Sequence, residues 1–77
     1  NGKSPKIQVF PNPVSDFISI SGLELPETIE IFNTAGQIVK SQKFIERANV
    51  SYLSTGTYIL RVKTKDSAIH EFKFIKK

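Results

Sequence analysis

The chain has 77 residues, 39% of them hydrophobic and 23% charged, which is the composition of one small folded domain and not of a disordered tail. It contains no cysteine, which excludes a disulfide scaffold, a thiolate zinc site and a cysteine nucleophile. A net charge of +4 favours weak attraction to phosphate-rich surfaces without selecting nucleic acid or lipopolysaccharide.

Short runs of β-branched and aromatic residues alternate with turn residues, and no segment has helical periodicity. In chain order, the predicted strands cover residues 7–10, 17–21, 28–33, 37–44, 45–50, 57–64 and 68–75. Strands of about five residues at about ten-residue spacing predict an all-β fold, an immunoglobulin-like antiparallel β-sandwich of about seven short strands. Residues 1–6 have the polar composition of a linker, and the numbering begins without a methionine, so we expect a longer protein with an upstream domain.

Turn residues separate these strands. Pro11 and Pro13 end the first strand, because a proline has no N–H to donate to a neighbouring strand. Gly36 closes a turn over residues 33–36, and the strands on either side of it are expected to pair as a hairpin. The segment 45–50 alternates poorly and is expected to be an edge strand or to contain a bulge.

The sixth predicted strand has the clearest pattern. Tyr58, Leu60 and Val62 fall on one face, as in a half-buried strand. The turn before it contains Gly56, which can adopt a positive φ, and Leu53, which is expected to seat the turn on the core. The spacing of Leu53, Gly56 and Tyr58 is typical of a tyrosine corner, in which the tyrosine hydroxyl bonds to the backbone upstream. These three residues are therefore predicted to have a structural role.

No group of residues has the spacing of a catalytic or metal site. The one histidine, His70, is followed by Glu71 on a predicted strand, where neighbouring side chains point to opposite faces and cannot pair. Ser67 lies in a predicted turn without a nucleophile motif. The scattered carboxylates give no metal-ligand spacing, and no glycine-rich phosphate loop is present. The sequence predicts a domain that is not an enzyme and holds no cofactor or metal.

Basic residues are frequent on the last two predicted strands. A strip there would contain Arg61, Lys63, Lys65, Lys73, Lys76 and Lys77. Such a strip would bind phosphate groups or lipopolysaccharide, or it would only solvate the face and protect the sheet edge. Both interpretations stay open on residue type.

Two short segments match acceptor patterns for glycosylation. Residues 49–51 (NVS) match the N-glycosylation sequon, and residues 66–68 (DSA) resemble an O-glycosylation pattern of some Gram-negative periplasms. Such short matches occur often by chance, and we interpret each segment as a plain turn.

Four segments, taken in their order and spacing, resemble the C-terminal sorting domain of the type IX secretion system, type A. They are residues 9–13 (VFPNP) with Asp16 three residues on, 31–39 (IFNTAGQIV), 53–58 (LSTGTY) and 73–77 (KFIKK). The resemblance spans residues 7–77. The family's first motif often has tyrosine where this chain has Phe10, a change that keeps the aromatic ring.

The resemblance implies a signal at the C-terminus of a secreted cargo, which folds in the periplasm and is recognised by the outer-membrane translocon. A sortase-like protease would cut at or before residues 1–6, and the cargo would be released outside the cell or joined to anionic lipopolysaccharide on the cell surface. The recognition residues implied by the motifs are Pro11, Asn12, Pro13, Gly36, Gly56, Lys73, Phe74, Ile75, Lys76 and Lys77.

Other functions give different expectations. An adhesion or glycan-binding module needs an exposed aromatic platform, for which Phe17, Phe32 and Phe44 are the candidates. Nucleic-acid binding needs aromatic and basic residues interleaved on one face, whereas here the aromatics are expected on the apolar side. An exposed edge strand would also allow two copies of the chain to exchange strands.

Overall fold

The computed structural model describes residues 7–77. The seven strands in that range are β1 (Gln8–Phe10), β2 (Phe17–Ser21), β3 (Pro26–Phe32), β4 (Ile38–Lys43), β5 (Arg47–Asn49), β6 (Gly56–Thr64) and β7 (Ile69–Lys76). Over residues 7–77 no helix has the length and apolar character needed to cross a membrane. The expected strand number is confirmed, and the linker expected over residues 1–6 lies outside the described part.

The strands form two antiparallel sheets, so the predicted β-sandwich is confirmed. The smaller sheet has the order β1-β2-β5 and the larger has the order β4-β3-β6-β7. The hairpin expected around Gly36 is the β3–β4 pair, and β5 is the expected edge strand. Alternating apolar residues on the two inner faces meet in one core.

Strand boundaries differ from the prediction where tertiary pairing decides them. β3 begins at Pro26, which pairs with Thr64 at an irregular point of the ladder, and proline is tolerated at the first residue of a strand. β5 has only three residues, and the register shifts lie in β3 instead of in the segment 45–50. β7 continues to Lys76, because Lys76 pairs with Gly56 at the start of β6, and Val14 adds a parallel bridge to the same residue.

The core is aliphatic with two stacked aromatic rings. Its largest fully buried side chains are Phe74, Ile18, Ile29, Ile31, Leu60, Val14, Val50 and Val62. Tyr58 and Phe74 are cross-strand partners on β6 and β7, with ring centroids 5.6 Å apart. Such aromatic pairs add about 0.5–1.5 kcal/mol beyond the area that they bury. This pair joins the last two strands at the centre of the sandwich.

The tyrosine corner is confirmed. The Tyr58 hydroxyl donates to the Ser54 carbonyl oxygen at 2.7 Å, and Leu53 is buried beneath the turn. Gly56 has a φ of 157°, and a Cβ built there would meet no atom within 4 Å. There is space for a side chain at this position. The preference for glycine therefore comes from the backbone conformation and not from crowding.

We expect Tyr58→Phe to lower the free energy of unfolding by about 1–2 kcal/mol, because the Ser54 carbonyl loses its partner while the ring stays in the core. Urea denaturation measures the change. Tyr52→Phe is the control, because Tyr52 is exposed and its substitution should change stability by less than about 0.5 kcal/mol. Equal stabilities of Tyr58→Phe and the wild type would show that the corner bond contributes nothing.

Candidate functional site: the motif end of the sandwich

The topology gathers the four motif segments at one end of the sandwich. β1 and β3 end there, β6 begins there, and β7 ends beside them, as the pairs Gly56–Lys76 and Val14–Lys76 show. We call this the motif end and define it by the segments 11–16, 33–37, 50–55 and 73–77. All ten recognition residues implied by the sequence lie in these segments or directly beside them. The turns over residues 22–25, 44–46 and 65–68 form the opposite end.

A set of hydrogen bonds ties the first motif to the last strand. The Asn12 side-chain oxygen Oδ1 accepts the Ile75 N–H at 3.0 Å, although the two residues are 63 positions apart. The Val14 N–H donates to the Ile75 carbonyl at 2.8 Å, and the Lys77 N–H donates to the Val14 carbonyl at 2.8 Å. We call Asn12, Val14, Ile75 and Lys77 the terminal clamp. It covers the backbone edge of β7 over residues 75–77.

The last five residues do not form a fully exposed basic tail. Phe74 is fully buried, and Lys76 is only 7% exposed, with its Nζ donating to the Lys77 carbonyl at 3.0 Å. Lys73, Ile75 and Lys77 face solvent instead. The period-2 alternation of a strand already puts residue 76 on the inner face with residue 74, so the sequence contained this signal.

The first motif and the glycine turn are accessible. Pro11, Asn12, Pro13 and Gly36 are all exposed. Gly36 has a φ of 82°, which an L side chain rarely adopts. Asn33 fixes this turn, since its Oδ1 accepts the N–H groups of Ala35 and Gln37 at 3.0 Å each. The turn therefore presents a defined backbone surface at the motif end.

An open groove lies on the outer face of the larger sheet, beside the Gly36 turn. Its volume is about 570 Å³, and it is lined by Phe32, Asn33, Thr34, Gly36, Thr57, Ile59, Arg61, Glu71 and Lys73. The register places Ile38, Phe32, Ile59 and Lys73 in one row across the four strands. The meeting of these four residues depends on strand order, which one sequence does not reveal.

The expected basic strip is interrupted. Arg61 donates from Nε to the Glu71 Oε2 at 3.0 Å, and a second guanidinium nitrogen lies 3.9 Å from the Glu30 Oε1. The guanidinium also lies 4.7 Å from the centre of the Phe32 ring. With Arg61 between two carboxylates and Lys76 buried, no continuous cationic face forms on the described strands.

The candidate catalytic residues do not converge. His70 is half-buried on the inner side of β7, and Glu71 is exposed on the outer side, as predicted. Asp66 is held by the Thr64 hydroxyl and the Ala68 N–H, and these hydrogen bonds lower the pKa of its carboxyl below the usual value. Asp66 therefore has a structural part in the β6–β7 turn.

Both glycosylation patterns lie in ordered turns. The Asn49 Oδ1 accepts the Ser51 N–H at 2.9 Å and the Ser51 hydroxyl at 2.7 Å, so the sequon forms a local side-chain turn. Ser67 is exposed with a φ of 71° in the β6–β7 turn. The plain-turn interpretation accounts for both segments.

The aromatic side chains are distributed differently from the sequence expectation. Phe17 is 39% exposed on the outer face of the smaller sheet, near the exposed Phe10, and the Arg47 guanidinium lies 4.5 Å from its ring centre. Phe32 lies on the outer face of the larger sheet, so of the three candidates for an exposed platform Phe44 is the one that packs against the core. The expectation that the aromatics lie on the apolar side is wrong for Phe10, Phe17 and Phe32. These rings occupy two opposite faces, so they do not form one interleaved basic and aromatic surface.

The described chain is thus a small antiparallel β-sandwich whose four motif segments meet at one end. Residues 8–77 match the family model of the secretion system C-terminal sorting domain. The chain belongs to this family, the sorting signals of the type IX secretion system, which confirms the resemblance found in the sequence. The family is defined by sorting and not by catalysis, and its members are C-terminal domains of cargo proteins that are secreted to the cell surface or beyond.

Two similar proteins illustrate the relationship. Ulvan lyase NLR42 from Nonlabens ulvanivorans is 32% identical over 74 residues, which covers 90% of this chain but only 14% of that protein. Among solved structures, PorZ is an essential surface component of the type IX secretion system of Porphyromonas gingivalis. It superposes with a TM-score of 0.73 at 18% identity, over 92% of this chain and 11% of that chain. This second likeness shows the shared fold.

We expect Asn12→Ala to increase the amide hydrogen-exchange rate of Ile75 about fivefold, because the lost hydrogen bond is worth about 1 kcal/mol. Exchange followed by NMR measures this residue directly. Asn12→Asp keeps an acceptor oxygen and should exchange close to the wild-type rate. The Gly36 amide, which bonds within its own turn, is an internal reference. An unchanged Ile75 rate in Asn12→Ala would show that Asn12 does not hold the last strand.

Proposed function

We propose that this domain directs an upstream cargo through the outer-membrane translocon of the type IX system, and that the motif end is the surface bound by the translocon. The observation that carries the proposal is the separation of the two ends. Ile7, which continues into residues 1–6, shares a cavity with Gly22 and Asp66 at the opposite end. The domain measures 40 × 21 × 19 Å. A cargo attached at the opposite end of this elongated sandwich would leave the motif end free.

The proposed signal is a folded surface and not a linear peptide. The terminal clamp joins Asn12 to Ile75, so the recognition residues are adjacent only after the chain has folded. Deleting residues 75–77 would remove the groups that bond to Asn12 and Val14, and loss of export would then be ambiguous. Substitutions that keep the backbone test recognition more directly.

The proposal includes removal of the domain after passage. A sortase-like protease would cut at or before residues 1–6, and the cargo would be released or joined to lipopolysaccharide. All seven strands lie C-terminal to this linker, so a cut there would separate an intact sandwich from the cargo. The domain would act in the periplasm and at the outer membrane as an address, with catalysis left to the cargo.

One observation favours a second candidate function. Phe10 and Phe17 are exposed on the smaller sheet, and Arg47 lies over one ring, which is a small aromatic platform of the kind that a glycan-binding module needs. Binding of the isolated domain to a glycan array, lost in Phe17→Ala, would favour this function. No binding on the array would leave the platform as ordinary surface packing.

We expect a fluorescent reporter with a Sec signal and this domain at its C-terminus to appear outside a host that has an intact type IX system. In a translocon-null host the same fusion should stay in the periplasm, because the translocon proposed to recognise the domain is missing. Fluorescence of the medium and cell surface, compared with the periplasmic fraction, gives the exported share. A periplasmic fusion in both hosts, with the domain folded, would reject the sorting function and favour the glycan-binding module.

A further inference from the structure

We propose that the outer-face groove beside the Gly36 turn binds a segment of the receptor protein in which an apolar side chain lies next to a carboxylate. This inference rests on the proposed sorting function and names the part of the motif end that makes the contact. The groove shares Gly36 and Lys73 with the recognition residues implied by the sequence. It is therefore continuous with the surface assigned to the translocon.

The apolar side chain of the bound segment is inferred from the apolar residues that form the floor of the groove. Phe32 and Ile59 are half-buried neighbours on β3 and β6, and their outer surfaces form that floor. Ile38, the cross-strand partner of Phe32, is 54% exposed, and Ile75, the partner of Thr57, is 46% exposed. These side chains form an apolar band across the sheet, and covering it with an apolar group gains about 25 cal/mol per Å² removed from water.

The carboxylate of the bound segment is inferred from the charged side chains that line the groove. Arg61 is already neutralised by Glu71 and Glu30, and its guanidinium is packed on Phe32. Lys73 lies at the other side of the same floor and makes no ion pair within residues 7–77. A carboxylate beside the apolar band would therefore meet Lys73 as its partner. A second cation on the receptor would instead face Lys73 with the same sign of charge.

The rim of the groove is preorganised. The hydrogen bonds from Ala35 and Gln37 to Asn33 hold the turn, and Gly36 contributes no side chain above the floor. A Cβ at position 36 would meet nothing within 4 Å, so this side of the groove is open to an incoming segment. A fixed rim reduces the ordering cost of binding.

The chain offers matched pairs of variants on the same face of the same sheet. Lys73 lies at the motif end and Lys63 toward the opposite end, and both are exposed. Ile75 and Ile69 both point outward from β7 at 46% and 56% exposure, and again only the former is at the motif end. Lys73→Glu is compared with Lys63→Glu, and Ile75→Thr with Ile69→Thr, in which threonine keeps the β-branched shape.

The experiment measures export of the reporter fusion for these four variants and the wild type in the intact host. We expect Lys73→Glu to lower the exported share about tenfold, because it places a carboxylate against the carboxylate of the receptor. Ile75→Thr should lower it about fivefold, because it removes apolar contact area. Lys63→Glu and Ile69→Thr should stay within twofold of the wild type. Protease resistance of the periplasmic domain confirms that each variant is folded.

Each other outcome overturns the inference in a distinguishable way. Export of Lys73→Glu and Ile75→Thr at the wild-type level would show that the groove is not contacted, with the sorting function intact. Equal losses for Lys73→Glu and Lys63→Glu, with Ile75→Thr unaffected, would indicate a polyanion such as lipopolysaccharide instead of a protein segment. Retention of the wild-type fusion itself would reject the sorting function and this inference together.

Discussion

The structure depends on the backbone bonds that join the connection after β1 to the end of β7. Val14 is fully buried and exchanges hydrogen bonds with Ile75 and Lys77, so it links the smaller sheet to the edge of the larger one. Without this contact, residues 75–77 would be an unpaired strand end at the sheet edge, and Phe74 would lose part of its cover. The clamp thus provides stability and arranges the recognition residues with the same few bonds.

The tyrosine corner has the complementary role on the other side of the motif end. The bond from Tyr58 to Ser54 fixes the entry into β6, and the Tyr58 ring stacks on Phe74 in the last strand. The entry into β6 and the end of β7 are therefore held through one aromatic pair. Gly56 lies opposite Lys76 in the ladder, so the corner adjoins the terminal clamp, whose members Ile75 and Lys77 flank Lys76.

Local chemistry made much of the fold predictable from the sequence. Strand alternation, turn glycines and the corner spacing depend on neighbouring residues, and they gave the seven strands, the hairpin at Gly36 and the Tyr58 bond. Contacts between distant segments were not predictable in this way. Nothing local to Asn12 indicates a bond to Ile75, and nothing local to Phe32 indicates Lys73 in the same row. The burial of Lys76 was partly predictable. Strand alternation places this residue on the inner face, whereas its charge argues for an exposed position.

The distribution of charge explains why a basic chain does not have to act as a general binder of anions. Three cations of the described residues lie over aromatic rings: Lys40 over Tyr52, Arg47 over Phe17, and Arg61 over Phe32, where Glu71 also pairs with the guanidinium. Their charge contributes to rigid local structure and is less available for distant attraction. Specific recognition then depends on the few groups that are left exposed beside apolar surface, and Lys73 is such a group at the motif end. A receptor that matches both the Lys73 charge and the apolar band at the motif end would distinguish this folded domain from other basic proteins. Those proteins carry positive charge without the adjoining apolar band.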